Sequence, residues 1–160
     1  MRLFGVILFA LLTRAQNPTC KLVGNAEVPD LSKDGDFIIG GVFSFDNINT
    51  KDNFEFTVQP TFSKCIRKNY REYKLARTMV FTIEEINRNN KLLPGVTLGY
   101  RIYNACGNIQ ILSAVFTAVS GPDDCSNTRV QALIGCSSSG PSSIVSKAIS
   151  PLHIPMNCAQ

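Results

Sequence analysis

The sequence predicts an α/β fold built on a partial doubly wound parallel sheet. Short apolar segments with the composition of buried strands alternate with longer segments whose apolar residues recur every three to four positions, as on one face of a helix. Strands and helices that alternate in this way form parallel sheets with helices on both faces. Only three strand–helix units and the start of a further strand are present, whereas such sheets have roughly five or more strands. We therefore expect part of a domain.

The first 15 residues are expected to form a secretory signal peptide that is cleaved after Ala15. The charged Arg2 precedes the apolar run 3–12, and small residues lie next to the expected cleavage point. The run is about half of the ~20 residues that a membrane-spanning helix needs, so its length favours a signal peptide over a membrane anchor. Residues 16–36 follow as a polar, turn-rich lead that is expected to be extended.

The first half of the expected domain contains one strand and one long helix. Residues 37–43 are continuously apolar, which predicts a strand buried on both faces. Residues 46–63 are polar and contain a proline, which predicts a loop. Residues 69–89 predict a helix, because their apolar side chains form one stripe while Glu84 and Glu85 lie on the other side.

The second half repeats the alternation. Residues 97–103 are rich in strand-forming side chains, and a helix is predicted from about residue 106 until a Gly-Pro pair stops it. An apolar strand is predicted over 130–134, followed by a third helix that begins near Ser142. Residues 153–156 resemble the start of another strand.

Charge and cysteine content limit the possible functions. The formal net charge of +4 falls to +2 when Arg2 and Arg14 leave with the signal peptide, and so small a charge argues against nucleic-acid binding. Secretion makes disulfides the expected state of the cysteines, and spacing alone leaves fifteen pairings open. Without a C-x-x-C pair, and with a single histidine, no metal site is expected. The six cysteines are Cys20, Cys65, Cys106, Cys125, Cys136 and Cys158.

The turn that follows the strand at 130–134 is the candidate binding site. It contains Ser137, Ser138 and Ser139 and ends at Gly140, where it opens the third helix. The first N–H groups of a helix have no partner within the helix and carry partial positive charge, and serine hydroxyls are additional donors. Such a turn can bind a small anionic group such as a carboxylate or a phosphate.

Other interpretations of this turn are weaker, and one stays open. The spacing from Gly135 does not fit a G-x-S-x-G nucleophile elbow, and His153, the single histidine, is not placed to act as a base. Neither nucleotide-binding glycine motif is present, so no cofactor is expected. The residues leave two interpretations equally open: the serines bind a carboxylate or another small polar ligand, or they only cap the helix.

Arg71 is a second candidate, near the start of the long helix. Its guanidinium has the shape to bind an anion with two parallel hydrogen bonds. A solvated surface charge is the favoured interpretation of this residue when the residues alone are considered.

Five segments resemble, in register, the extracellular ligand-binding domain of class C G-protein-coupled receptors. The resemblance is nearest to the vomeronasal type-2 (olfactory class C) receptors of the fish kind, and next to the calcium-sensing and amino-acid taste receptors. It implies a bilobed Venus-flytrap domain of the periplasmic-binding-protein type, of which residues 37–160 would supply a truncated first lobe. The segments comprise residues 34–43, 65–71, 79–87, 92–106 and 130–155.

The resemblance also implies roles for individual residues. Ser139 matches the first-lobe serine that holds the α-carboxylate of the ligand, and Gly140 follows it as in the family. Ser137 and Ser138 are neighbours of that contact. Arg71 matches an arginine that faces the cleft between the lobes.

Two cysteines match a pair that forms an intrachain disulfide in the family, Cys65 and Cys106. A loop of about 40 residues closed by that bond would stabilise the fold by roughly 4 kcal/mol on the chain-entropy model. Cys125 lies in the loop that holds intersubunit disulfides in some members, and Cys20 resembles a cysteine at the mature start of the olfactory group.

The function that the resemblance implies is sensing of amino acids or related small molecules. A carboxylate would bind at the serine turn, and closure of the lobes would follow. The implied partners are a second receptor chain and a heterotrimeric G protein, reached through a plasma-membrane domain that these residues do not contain. A secreted, truncated binding or decoy fragment is the alternative. A secreted hydrolase would require activity that is lost when Ser137 or Ser139 is replaced, and no enzyme activity is expected.

Overall fold

The computed structural model describes residues 27–48, 57, 65–106, 108–121 and 130–158. The predicted signal peptide, Cys20 and Cys125 lie outside these ranges, as does most of the expected loop at 46–63. Within the described residues, no helix has both the length and the hydropathy that are needed to cross a bilayer.

The described residues form seven strands and three α-helices. In chain order the strands are β1 Leu31–Lys33, β2 Phe37–Phe43, β3 Asp46–Ile48, β4 Cys65–Lys68, β5 Leu98–Asn104, β6 Val130–Gly135 and β7 Met156–Cys158. The helices are α1 Tyr70–Arg88, α2 Asn108–Ser120 and α3 Ser139–Ile149, and a short 3₁₀ helix, Ser150–Leu152, follows α3. The predicted α/β class is confirmed.

The main sheet has five strands in the order β1-β5-β2-β6-β7. Strand β2 lies at the centre and pairs in parallel with β5 and with β6, and β6 pairs in parallel with β7. Strand β1 lies inside the segment expected to be an extended lead. It pairs antiparallel with β5, with Leu31 opposite Ile102. The sheet is therefore parallel except for one edge strand.

Two apolar clusters place helices on both faces of this sheet. One cluster joins α1 to the sheet through residues such as Ala76, Met79 and Ile102, which are at most 6% exposed. The other joins α2 and α3 to the opposite face through Val115, Val145 and their neighbours. Helices on both faces explain why β2 is apolar along nearly its whole length.

The prediction of a loop over residues 46–63 is wrong for the first residues of that range, which form a strand. Residues Asp46–Ile48 form β3, which pairs antiparallel with β4 in a separate two-stranded sheet. A disulfide between Cys65 in β4 and Cys106, which follows β5, has an S–S length of 2.01 Å. It is the pair that the resemblance implied, and it attaches the small sheet to the segment that leads into α2.

The third helix also begins earlier than predicted. It starts at Ser139 rather than near Ser142, so the serine turn is shorter and its last residues belong to the helix. Pro141 lies in the first turn, where proline is tolerated because its missing N–H would have had no partner within the helix.

Candidate ligand-binding site

A cavity of about 230 Å³ lies beside the serine turn, at the carboxyl ends of strands β2 and β6. Ligands of doubly wound proteins bind beyond this end of the strands. The side chains that line it come from both strand ends and from the starts of α1, α2 and α3. They are Val42, Ser44, Asn69, Glu72, Ile111, Cys136, Ser137, Ser138 and Pro141.

The backbone at the end of β6 forms the turn because of two unusual positions. Gly135 approaches β2 so closely that an added Cβ would lie 2.0 Å from the carbonyl oxygen of Val42. Cys136 follows with a positive φ of 54°, and its N–H donates to the same carbonyl oxygen at 3.1 Å. The strand therefore ends against β2, and the chain turns toward the start of α3.

The start of α3 presents free donors to this region. Ser138 is the N-cap residue, with extended backbone angles, and its side chain makes no capping hydrogen bond. Ser142 instead closes the turn, because its hydroxyl donates to the carbonyl oxygens of Cys136 at 2.6 Å and Ser138 at 2.8 Å. The N–H of Ser142 makes the first bond of the helix, to Ser138. The capping interpretation therefore does not account for the hydroxyl of Ser138.

The predicted site residues are brought together only in part. Ser137 and Ser138 line the cavity, whereas Ser139 and Gly140 are exposed in the first turn of α3 and follow the lining serines directly. Arg71 is exposed in the first turn of α1 and is not part of the cavity wall. From the sequence, the three serines and Arg71 were the side chains expected at the site.

Glu72 lines the cavity although the sequence did not predict it as a site residue. It follows Arg71 and is 3% exposed, and its carboxylate oxygen Oε1 accepts a hydrogen bond from the hydroxyl of Ser137. Its backbone N–H donates to Asn69, the N-cap residue of α1, at 3.4 Å. An acidic residue in the first helical turn is a common sign of electrostatic pairing with the helix dipole, and this signal was available in the sequence.

Cys136 forms an apolar part of the wall. It is 6% exposed and forms no disulfide with any cysteine that the structure describes. Burial, with smaller contributions from Cys158 and Glu72, raises the pKa of its thiol to about 11. The thiol is therefore neutral at physiological pH and adds no charge to the cavity. No group of three or more potential metal ligands occurs within the described ranges.

Comparison with known proteins reveals a clear relationship. A family model described as the receptor family ligand binding region matches residues 74–157. The human extracellular calcium-sensing receptor is 33% identical over 137 residues, which cover 77% of this chain and 13% of the receptor. The mouse taste receptor type 1 member 2 is 34% identical over 161 residues, covering 93% of this chain and 18% of the receptor. The chain thus spans less than one fifth of the length of these relatives.

Proposed function

The chain belongs to the family of extracellular ligand-binding domains of class C G-protein-coupled receptors, and from this membership we propose that it captures the carboxylate of an amino acid at the start of α3. Its relatives are receptors rather than enzymes. We also propose that the ligand is an amino acid and that the receptor is of the olfactory or vomeronasal type. We further propose that the receptor forms a dimer, couples to a G protein and exposes this domain on the extracellular side of the plasma membrane.

One observation carries this proposal. Helix α3 begins beside a cavity at the carboxyl ends of parallel strands, and the side chain of its N-cap residue, Ser138, does not bond the first N–H groups of the helix. The N–H groups of Ser139 and Gly140 and the hydroxyl of Ser139 lie in the first turn, and the hydroxyl of Ser138 makes no capping bond. A carboxylate placed here would accept from N–H and O–H donors and would meet the positive end of the helix dipole. Hydrogen bonds of this charged kind are stronger than neutral ones.

The proposed mechanism has two steps. The carboxylate of the ligand binds first at the Ser138–Ser139–Gly140 turn, which the close contact of Gly135 with β2 holds in place. A second lobe, supplied by a longer receptor chain, then closes over the ligand, because a ligand that contacts both lobes favours the closed arrangement. Arg71, exposed beside the cavity wall, is available to contact a distal group of the ligand.

The test is a titration of the isotope-labelled chain, followed by amide NMR. L-Alanine is expected to shift the amide signals of Ser138, Ser139 and Gly140. L-Alaninamide, which has no carboxylate, is expected to leave them in place. Ser139→Ala is expected to weaken alanine binding about tenfold, the effect of losing about 1.4 kcal/mol from a charged hydrogen bond.

Ser146→Ala is the matched control, because Ser146 is exposed on the same helix but lies beyond its first turn. Equal affinities of the two variants would contradict the assignment of Ser139. Equal binding of alanine and alaninamide would contradict carboxylate capture altogether.

A further inference from the structure

Glu72 places a buried carboxylate in the wall of the cavity, and carboxylate capture at α3 leaves it without a role. The side chain is 3% exposed and lines the cavity together with Ser137 and Ser138. One of its oxygens, Oε1, accepts from Ser137. Among the described residues, the bond from Ser137 is the one side-chain hydrogen bond that this carboxylate accepts, and Oε2 has no donor. A carboxylate has room for about four hydrogen bonds, so Glu72 has acceptor capacity left over.

Glu72 also has no cationic partner in the described part of the chain. The ion pairs found there join Lys33 to Glu84, Lys68 to Asp46, Arg88 to Glu85 and Arg101 to Asp34. The adjacent Arg71 is exposed and forms none of them. Buried carboxylates are normally compensated by a cation or by several donors. In the described part of the chain, the dipole of α1 and the hydroxyl of Ser137 supply the compensation.

The same turn therefore has one end that favours anions and one that favours cations. Ser137 donates to Glu72, and the next residue, Ser138, is the N-cap of α3. A ligand that reaches both ends needs a carboxylate at α3 and a positively charged donor near Glu72. A ligand with a second carboxylate would instead place a like charge next to Glu72.

We propose that Glu72 is a specificity-determining residue, which binds an ammonium or guanidinium group of the ligand through the free capacity of its carboxylate. This inference rests on the proposed function, because that function positions the ligand's carboxylate. The cationic group has two possible sources, the α-ammonium or a basic side chain. The receptor site would thus accept zwitterionic or basic ligands and reject acidic ones.

The experiment compares L-arginine, L-norleucine and L-glutamate in NMR titrations of the whole chain and of Glu72→Gln. Glutamine has the same shape and still accepts from Ser137, but it carries no charge. In the unmodified chain, arginine is expected to bind about tenfold more tightly than glutamate. In Glu72→Gln, this ratio is expected to fall to about one. Glu85→Gln is the control, a substitution of an exposed carboxylate on α1 outside the cavity wall.

The outcomes identify the source of the cation. A loss of arginine affinity alone in Glu72→Gln assigns a basic side chain to Glu72. An equal loss for arginine and norleucine assigns the α-ammonium. Unchanged affinities for all three amino acids would overturn the inference.

Methylguanidinium separates this inference from the proposed function, because it has no carboxylate. In the unmodified chain it is expected to shift the amide signals of Glu72 and of Ser137, whose hydroxyl donates to the carboxylate of Glu72. These shifts are expected even if no amino acid binds. That combination of results would refute carboxylate capture and support the role of Glu72. If alanine binds and methylguanidinium produces no shifts, carboxylate capture stands and the role of Glu72 is refuted.

Discussion

Gly135 occupies a position of the chain that has no room for a side chain. A Cβ there would lie 2.0 Å from the carbonyl oxygen of Val42, a backbone atom that cannot move aside without disturbing β2. The turn that carries the three serines starts at this point. The placement of the candidate site therefore depends on the absence of a single methyl group.

Gly135→Ala is expected to lower the free energy of unfolding by about 1–3 kcal/mol, the range typical of local backbone strain. The measurement is urea unfolding followed by circular dichroism. Gly140→Ala is the control, because a Cβ at Gly140 meets no atom within 4 Å and its helical position favours alanine. Equal stability of the two variants would show that β2 and β6 are not in the close contact described here.

Cys136 and Cys158 have opposite environments although Cys158 pairs with Gly135, the neighbour of Cys136. Cys158 is exposed, whereas Cys136 is buried and burial raises the pKa of its thiol to about 11. Because the thiolate is the reactive form, Cys158 is expected to react with iodoacetamide at pH about 8 and Cys136 to stay unmodified until the chain unfolds. Peptide mapping by mass spectrometry measures both. Alkylation of Cys136 in the folded chain would contradict its burial.

At the scale of elements, Asp46 connects the small sheet to the main one. The ammonium of Lys68 in β4 lies 2.8 Å from its Oδ1, and the side-chain amide of Asn104, the last residue of β5, donates to its Oδ2 at 2.9 Å. Asn104 in turn accepts from the N–H of Phe45 at 2.9 Å. The disulfide between Cys65 and Cys106 crosses the same junction covalently.

This junction predicts a dependence of stability on pH. The adjacent ammonium of Lys68, and then the hydrogen bond from Asn104, hold the pKa of Asp46 below its ordinary value of 3.8. The resulting stability is present above that value and is lost as the pH falls through the lowered pKa. Asp46→Asn is expected to cost about 1–3 kcal/mol at neutral pH and to make stability less dependent on pH below about 4.

Unfolding curves measured at several pH values test this expectation. Asp36→Asn is the comparison, because hydrogen bonds from the N–H and hydroxyl of Thr97 also lower the pKa of the exposed Asp36. An unchanged pH dependence in Asp46→Asn would mean that Asp46 is not held as described.

Local pattern was enough to predict the longer elements. Strand β2 is a continuous apolar run and helix α1 has a clear apolar stripe. The predicted bounds of α1 differ from the observed ones by one residue at each end. The start of α3 was placed too late because Gly140 and Pro141 are typical turn residues. Both are tolerated in a first helical turn, which composition alone does not reveal.

At the scale of the whole molecule, β2 is the strand on which the others assemble. It pairs on both sides, with β5 and β6, and its Phe43 is 1% exposed between the sheet and α1. Amide hydrogen exchange is expected to be slowest in β2, because its bonds break only when the sheet opens as a whole. Exchange is expected to be faster in β1 and β7, the three-residue edge strands. Equal protection across all five strands, measured by mass spectrometry, would contradict this order.

The sequence by itself determined the alternation of strands and helices, the position of the serine turn and the resemblance to a receptor family. These are local properties, since the spacing of apolar residues decides whether a segment can bury one face of a helix or both faces of a strand. The tertiary structure alone decided the rest. Strand β1 exists because β5 offers a free edge, and Glu72 became part of the cavity because folding brought it to Ser137, 65 residues later. Contacts between distant segments depend on how the elements pack, and no local pattern encodes them.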